Sequence, residues 1–167
     1  MFKKNNGFTL IELLVTVTVL GIILAIAVPS FDAMIRNYRL QSATSQLVDS
    51  INLARNTALS SNQVITIEAS GTGTDQSWNN GWVISRGTEE VRVFEEVAGA
   101  TVNATTTTTS TSGTSGTPST TTTNITEIAF AGNGRLSAPN TGAAFTVTVG
   151  TENRTVNVNL SGQTRVR

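Results

Sequence analysis

The chain has 167 residues, with eleven basic and eleven acidic side chains and neither cysteine nor histidine. The absence of cysteine excludes a disulfide, and the absence of histidine removes the usual general base and the commonest metal ligand. No two carboxylates stand at a spacing that suggests acid–base catalysis. The composition therefore predicts a protein that is not an enzyme and that binds no metal or cofactor. Its length suits one modest domain plus a membrane helix.

An almost purely apolar segment extends from Phe8 to Phe31, near the start of the chain. At about 1.5 Å per helical residue, this segment is long enough to cross a bilayer core of about 30 Å. Glu12 is the only charged residue between Lys4 and Asp32. A carboxylate at the centre of a bilayer costs about 2.5–3.5 kcal/mol, so we expect Glu12 to have a function.

Residues 7–12 read GFTLIE, which resembles the processing motif of type IV pilins and of the pseudopilins of type II secretion. In that family a prepilin peptidase cuts after the glycine and methylates the new N-terminal phenylalanine. The resemblance implies a leader of residues 1–7, cleavage between Gly7 and Phe8, and N-methylation of Phe8. It also makes Glu12 the fifth mature residue, which in the family is the assembly glutamate.

The leader carries two lysines, and a basic segment before a membrane span tends to stay in the cytoplasm. With the resemblance, this predicts a single-pass protein of the inner membrane with its head in the periplasm, which then enters a pilus or pseudopilus. The alternative is an ordinary secretory signal, whose A-x-A cleavage pattern fits residues 25–27. That alternative predicts a mature start at Val28 instead of Phe8, and Glu12 counts against it.

Three arrangements are open to Glu12 in such a helix. Cleavage would free an amine at Phe8, one helical turn before the carboxylate, and a carboxylate in a low-dielectric medium seeks a cation. The carboxylate could pair with this amine or with the amine of the next subunit, which would fix the axial register of stacked helices. The resemblance implies pairing with the next subunit. In the third arrangement Glu12 reaches the membrane interface and pairs with nothing.

A second helical pattern follows Pro29, over residues 32–61. Apolar and small residues recur there at steps of mostly three and four, which defines one face of an amphipathic helix. This face comprises Ile35, Leu40, Ala43, Leu47, Ile51, Ala54 and Ala58. The pattern predicts that the helix of residues 8–31 continues into a soluble head. Pro29 removes a backbone donor, and it either bends this helix or marks the exit from the membrane.

The end of this second helix narrows the resemblance. Residues 51–67 combine an Ala-Arg-x-x-Ala helix end, a polar turn and a β-branched strand, similar to the GspH/FimT branch of minor pilins and minor pseudopilins. Residues 78–84, WNNGWVI, are similar to a tryptophan–glycine–tryptophan hairpin of that branch. Asn80 and Gly81 would supply the positive φ angles of its tight turn. The resemblance implies an α+β, pilin-like fold, in which a long N-terminal helix, transmembrane in its first half, packs on an antiparallel β-sheet head.

Residues 62–167 predict a β-rich globular head. The expected strands are Val64–Ala69, Gly81–Arg86, Val91–Glu96, Thr126–Ala131, Ala144–Val149 and Arg154–Leu160. The sequence Gly-Asn-Gly at residues 132–134 predicts a turn. Residues 103–124 are almost wholly Thr, Ser and Gly without any charge, and we expect a mobile loop between strands. This loop is either an unmodified insert or one that carries O-linked glycans.

Arginine is the only basic residue once the leader is removed, with nine arginines against eleven acidic residues. This balance argues against a broadly basic protein that coats nucleic acid. Any contact with DNA would have to come from a local cluster of arginines. Arg165 and Arg167 alternate around Val166, so an extended segment would place both on one side. Arg154 and Arg135 could lie nearby.

Minor pilins of the FimT type carry a C-terminal Gly-Arg-x-Arg motif that binds DNA, and residues 165–167 resemble its second half. The preceding glycine is displaced here by two additional residues. The candidates for contacts with double-stranded DNA are therefore Arg154, Arg165 and Arg167, because guanidinium groups suit phosphate oxygens. The alternative is a solvated edge strand whose arginines prevent edge-to-edge pairing.

Two functions follow from the resemblance, and both stay open at this point. The first is a minor type IV pilin, a structural subunit of pilus assembly and initiation that binds DNA during natural transformation. The second is a GspH-type minor pseudopilin of a type II protein secretion system. Either protein would have a prepilin peptidase, the inner membrane and other pilin or pseudopilin subunits as partners, the last through its N-terminal helix. A third interpretation is a secreted β-rich binding domain with a conventional signal.

Overall fold

The computed structural model describes residues 8–111 and 118–167, so the predicted leader of residues 1–7 lies outside the described residues. The chain divides into two compact units, Met1–Arg36 and Asn37–Arg167.

Helix α1 covers Leu10–Ser61, which confirms the helix predicted for this part of the chain, and its assignment continues through Pro29. In the first unit, every large apolar side chain whose exposure is described is exposed. This part of α1 is long and apolar enough to cross a membrane. The predicted change from a membrane segment to a soluble segment after residue 31 stays a prediction.

In the second unit, α1 buries one stripe of side chains. Leu40, Ala43, Leu47, Ile51, Ala54 and Ala58 are all buried, at the steps of three and four that the sequence predicts. Full burial of a leucine or isoleucine contributes about 1.5–3 kcal/mol, so the larger members of this stripe hold the helix firmly. Ile35 is predicted in the same stripe but is 48% exposed and belongs to the first unit, so the prediction for this residue is wrong.

The strands of the described chain all follow α1. They are β1 Ile65–Ser70, β2 Ser77–Arg86, β3 Glu89–Phe94, β4 Thr101–Thr111, β5 Pro118–Asn124, β6 Glu127–Phe130, β7 Leu136–Ala138, β8 Ala143–Val149, β9 Glu152–Val158 and β10 Thr164–Val166, with a 3-10 helix at Gly73–Asp75. They form two antiparallel sheets, in the orders β3-β2-β1-β6-β7 and β10-β9-β8-β4-β5. All six predicted strands are confirmed with shifted bounds, as β1, β2, β3, β6, β8 and β9. The predicted turn at residues 132–134 is also confirmed, between β6 and β7.

One hydrophobic core joins the buried stripe of α1 to both sheets. Alternate residues of β8 are buried, as expected for a strand with one face on a core. The ring of Trp78 on β2 meets the ring of Phe145 on β8 edge-on, with 5.0 Å between the centroids. The indole N–H of Trp78 donates to the carbonyl oxygen of Ile125 at 2.7 Å. The contact with Phe145 joins the first sheet to the second, and the hydrogen bond to Ile125 joins β2 to the connection between β5 and β6.

The prediction of a tight hairpin turn at Asn80 and Gly81 is wrong. Both residues lie within β2, whose pairing with β1 skips residues 78–81 and leaves these four residues as a bulge. Of the two, only Gly81 has a positive φ, 89°, and a Cβ there would lie 2.2 Å from the carbonyl oxygen of Phe94. The glycine therefore permits the close approach of β2 and β3 at a bulge. The chain turns between these strands at residues 87–88.

The prediction of a loop over residues 103–124 is wrong where this segment is described; residues 112–117 lie outside the described residues. β4 and β5 form a ribbon in which threonine faces threonine at four successive positions. The segment has almost no apolar side chain to bury, which is why its composition suggests a loop. Two effects favour strands instead. Threonine is β-branched and prefers extended backbone, and the first residues of β4 are already paired with β8.

Candidate functional site

Helix α1 begins with reciprocal hydrogen bonds between Thr9 and Glu12. The backbone N–H of Glu12 donates to Thr9 Oγ1, and the backbone N–H and hydroxyl of Thr9 donate to Glu12 Oε2, each at 3.3 Å. The carbonyl of Thr9 accepts a backbone hydrogen bond from Leu13 at 3.2 Å. This arrangement is a capping box, which satisfies donors that the first turn of a helix otherwise leaves free.

The capping box gives Glu12 a partner that none of the three arrangements expected from the sequence includes. Its signal in the sequence is the spacing T-x-x-E directly before an apolar run. Phe8 lies immediately before the cap and is 80% exposed, whereas Gly7 lies outside the described residues. The carboxylate therefore lies at the N-terminal end of α1, where the helix dipole also favours a negative charge.

Arg165 lies in β10, at one edge of the second sheet, and Arg167 follows this strand. Arg165 pairs with Asn157 of β9, and the backbone of Arg167 exchanges two hydrogen bonds of 2.9 Å with Thr155. Residues i and i+2 of a strand share a face, and both arginine side chains are exposed. The structure thus places the two arginines on one face, as the alternation around Val166 predicts.

Arg154 lies on the other face of the same sheet. It pairs with Val147 of β8, which is fully buried, whereas the face of Arg165 and Arg167 is exposed. Arg135 lies in the connection between β6 and β7, next to the first sheet. The strand register therefore does not bring Arg154 to the face that carries the other two candidate arginines.

An open groove of about 1290 Å³ is lined by Arg165, Arg167 and a third arginine, Arg55 of α1. Its polar lining further includes Asn52, Thr105, Thr107, Thr141, Asn157, Asn159, Gln163 and Thr164. No Asp or Glu stands among the described residues of this lining, although acidic residues outnumber arginines in the chain. The groove therefore concentrates positive charge and attracts anions.

The chemistry of this groove is hydrogen bonding and charge pairing by guanidinium groups, which suit phosphate and carboxylate oxygens. No aromatic side chain belongs to the described lining, so the groove offers no platform on which bases stack. The sequence indicates Arg55 only as part of an Ala-Arg-x-x-Ala helix end. Its nearness to Arg165 and Arg167 arises from the fold, because α1 and the end of the chain are far apart in sequence.

These features define a class of protein. The sequence GFTLIE runs into the start of α1, which is apolar and exposed at first and then contributes to the core of a β-rich head. This is the architecture of a pilin-type subunit. The family described as Type II transport protein GspH matches residues 43–162, and the prokaryotic N-terminal methylation motif matches residues 2–28. The chain therefore belongs to the GspH family, whose members are structural subunits. The methylation motif implies processing by a prepilin peptidase and assembly with pilin or pseudopilin subunits.

Among solved structures, the chain is similar to the type IV minor pilin FimU of Pseudomonas aeruginosa strain PAO1, in two crystal forms. In the first, the sequence identity is 20% and the TM-score is 0.58, over 78% of this chain and 90% of FimU. In the second, the identity is 21% and the TM-score is 0.55, over 77% of this chain and 92% of FimU. The similarity confirms the predicted α+β, pilin-like fold.

Proposed function

We propose that this chain is a minor type IV pilin, a structural subunit that takes part in the assembly and initiation of a pilus. The observation that carries the proposal is the sequence GFTLIE at the start of a helix whose first part exposes its large apolar side chains. Such a surface is unfavourable in water and favourable in a bilayer or against other apolar helices. A subunit that moves from a membrane into a filament meets both of these environments.

In this proposal the chain has four functional segments. Residues 1–7 form a cytoplasmic leader. Residues 8–31 anchor the subunit in the inner membrane and later join the core of the filament. Residues 32–61 continue the helix into a head of residues 62–167, which lies in the periplasm before assembly.

A prepilin peptidase cuts between Gly7 and Phe8 and methylates the amine of Phe8. Glu12 then pairs with the amine of the next subunit, because a cation offsets the cost of a carboxylate in apolar surroundings. The capping box with Thr9 supports this role, since it holds the carboxylate at the first turn of α1. That position is the part of the helix nearest to an incoming N-terminus.

Arg165 and Arg167 bind the phosphates of double-stranded DNA during natural transformation. Two residues apart on a strand, they are separated by about 6.6 Å, and duplex DNA carries one charge per about 1.7 Å of its axis. One stretch of duplex therefore offers phosphates to both arginines. The lack of acidic and aromatic side chains in the described lining of the groove supports contacts with the backbone and not with bases. We assign no DNA contact to Arg154, because it lies on the opposite face of the sheet from Arg165 and Arg167.

A gel shift tests the DNA contact on the second unit, residues 37–167, which contains every described residue of the hydrophobic core. Joint replacement of Arg165 and Arg167 by alanine should weaken binding to a short duplex by about tenfold or more. It should also reduce the slope of log affinity against log salt concentration by about 1.8, because two phosphate contacts are lost. Arg154→Ala is the matched control, which removes one arginine from the other face.

Two results would contradict the DNA contact. One is the absence of any shift by the parent protein in about 50 mM salt, where electrostatic contacts to DNA are strong. The other is an equal loss of affinity in the Arg154→Ala control. Such a loss would show that the net charge of the protein, and not the arginines on one face of β10, determines DNA affinity.

A GspH-type minor pseudopilin is the second candidate, and the description of the matching family as a type II transport protein favours it. Deletion of the gene separates the two functions. Loss of pili and of DNA uptake with normal protein secretion supports the pilin, whereas loss of secretion with normal pili supports the pseudopilin.

A further inference from the structure

Strand β10 carries Arg165 but has little packing that holds it in place. It is three residues long, it pairs only with β9, and its Val166 is 44% exposed. A short edge strand with so little buried apolar surface opens easily. Besides the backbone pairing of residues 164–167 with β9, a fixed position for Arg165 and Arg167 therefore depends on contacts that are made before the strand begins.

Such contacts come from Arg55 on α1. Its Nε–H donates to the carbonyl oxygen of Gly134 at 3.0 Å, and Nη2 donates to the carbonyl oxygen of Ser161 at 3.4 Å. Gly134 lies in the turn between β6 and β7, and Ser161 lies in the turn between β9 and β10. One guanidinium group thus ties the helix to two turns.

Gly162 packs tightly beside these hydrogen bonds. Its φ is 75°, and a Cβ at this position would lie 2.2 Å from the carbonyl oxygen of Gly134 and 2.8 Å from Nε of Arg55. Only glycine therefore lets this turn approach Arg55 so closely. A Cβ on Gly134 would in turn lie 2.9 Å from the side chain of Leu59, so the neighbouring turn is pressed against α1 as well.

The turn before β10 is held by its own hydrogen bonds up to the first residue of the strand. Within it, Asn159 accepts hydrogen bonds of 2.9 Å from the N–H groups of Gly162 and Gln163. The hydroxyl of Thr164, the first residue of β10, donates to Asn52 of α1 at 3.4 Å. The position of this turn therefore determines where β10 begins and how it pairs with β9.

We infer that Arg55 is a positioning residue that clamps the turn before β10 and so presents Arg165 and Arg167 on one face of the groove. The clamp comprises Arg55, Gly134, Ser161 and Gly162. Carbonyl oxygens engage Nε and Nη2 of Arg55, so Arg55 acts on DNA binding through the position of β10. The functional part of this inference rests on the proposed DNA contact, whereas the clamp itself exists without DNA.

Hydrogen exchange of the full chain in detergent tests the clamp in the absence of DNA. Gly162→Ala brings a Cβ against Arg55 without a change in charge, and Arg55→Ala removes both hydrogen bonds without a clash. Gly87→Ala is the matched control, because Gly87 has a φ of 60° but open space at its Cβ position. Both clamp variants should lose protection at residues 164–167 by about tenfold or more and keep it in β1 and β8, and the control should lose none.

Affinity for duplex DNA separates positioning from direct contact. Gly162→Ala and Arg55→Ala should each lower the affinity by about tenfold and leave the slope of log affinity against log salt concentration unchanged. Arg165→Ala should reduce that slope by about 0.9, because it removes a phosphate contact.

Unchanged exchange at residues 164–167 in both variants would overturn the inference. A reduced salt slope in Arg55→Ala would also overturn it, since Arg55 would then touch a phosphate itself. If Gly162→Ala does not fold, Arg55→Ala decides both measurements alone. Loss of protection in the clamp variants together with no DNA binding by the parent protein would support the clamp and contradict the proposed DNA function.

Discussion

The two parts of α1 use apolar side chains in opposite ways. Up to Arg36 the large apolar side chains whose exposure is described are exposed around the helix. From Leu40 to Ala58 one stripe is buried and the other faces are mostly polar. The difference follows from the pattern, because the first part is apolar at nearly every position and the second only at steps of three and four. One helix therefore has a first part that is apolar enough to cross a membrane and a second part that supplies the core of the head.

This comparison separates assembly from folding. A substitution in the second part should act on the free energy of unfolding of the head, since that part supplies buried side chains. A substitution in the first part should act on membrane and filament contacts and leave the head unchanged. The same type of substitution, made once in each part of α1, can therefore test whether assembly and folding depend on different parts of the helix.

Removal of residues 1–36 should have the largest effect. We expect a protein that is found wholly in the soluble fraction after cell lysis, because the exposed apolar surface of α1 is gone. Its thermal unfolding midpoint should match that of the head in the detergent-solubilised parent chain, since the core is retained. Fractionation and circular dichroism measure both, and a head that no longer folds would contradict the division into two units.

Glu12→Ala should leave processing intact and strongly reduce incorporation of the subunit into filaments. The physical reason is the loss of the charge that pairs with the amine of the next subunit. Mass spectrometry of the membrane fraction reports processing, and immunoblotting of sheared filaments reports incorporation.

Glu12→Gln sharpens this test, because glutamine still closes a capping box with Thr9 but carries no charge. Our account predicts that Glu12→Gln fails to be incorporated, as Glu12→Ala does. Normal incorporation of Glu12→Gln would assign Glu12 to the cap alone and would rule out charge pairing.

Leu47→Ala should leave the membrane and filament contacts of the protein unchanged but lower the free energy of unfolding of the head. Leu47 is fully buried, and such truncations cost about 2–5 kcal/mol. Ile35→Ala in the exposed part of α1 is the control and should change stability by less than about 0.5 kcal/mol. Urea unfolding of the detergent-solubilised chain, followed by the fluorescence of Trp78 and Trp82, measures both. A similar loss of free energy of unfolding in the two variants would contradict the difference between the two parts of α1.

The register of α1 could be predicted from sequence because helical periodicity is a local signal. Six of the seven residues expected on its inner face are buried. The same holds for strands with alternating apolar residues, such as β8. β7 and β10 were not predicted, since three residues are too few to show a period.

Non-local effects account for the incorrect predictions. The threonine-rich segment forms strands because β8 offers an edge to β4, which no composition reveals. Asn80 and Gly81 have the composition of a hairpin turn, but the glycine is required by the nearby backbone of Phe94. The local preferences of single residues fit the extended backbone of the threonines and the positive φ of Gly81, but they do not identify the partners of these residues.

The candidate sites show the same limit. The motif at residues 7–12 could be found directly because cleavage and capping depend on neighbours in sequence. The groove could not be found in this way, since Arg55 lines it together with Arg165 and Arg167 only because α1 packs against two turns. As a nearby arginine, Arg154 is an equal candidate to Arg165 and Arg167 in the sequence. Only the strand register shows that it lies on the other face of the sheet.

The central claim is that the mature chain begins at a processed Phe8, two residues before the exposed, apolar first part of α1, and not at a conventional signal cleavage site. Intact-mass and N-terminal peptide spectrometry of the protein purified from its native membrane test this claim most directly. The account predicts a chain that starts at Phe8 and carries one methyl group on its amine. A chain that retains residues 1–7, or one that begins at Val28, would contradict it.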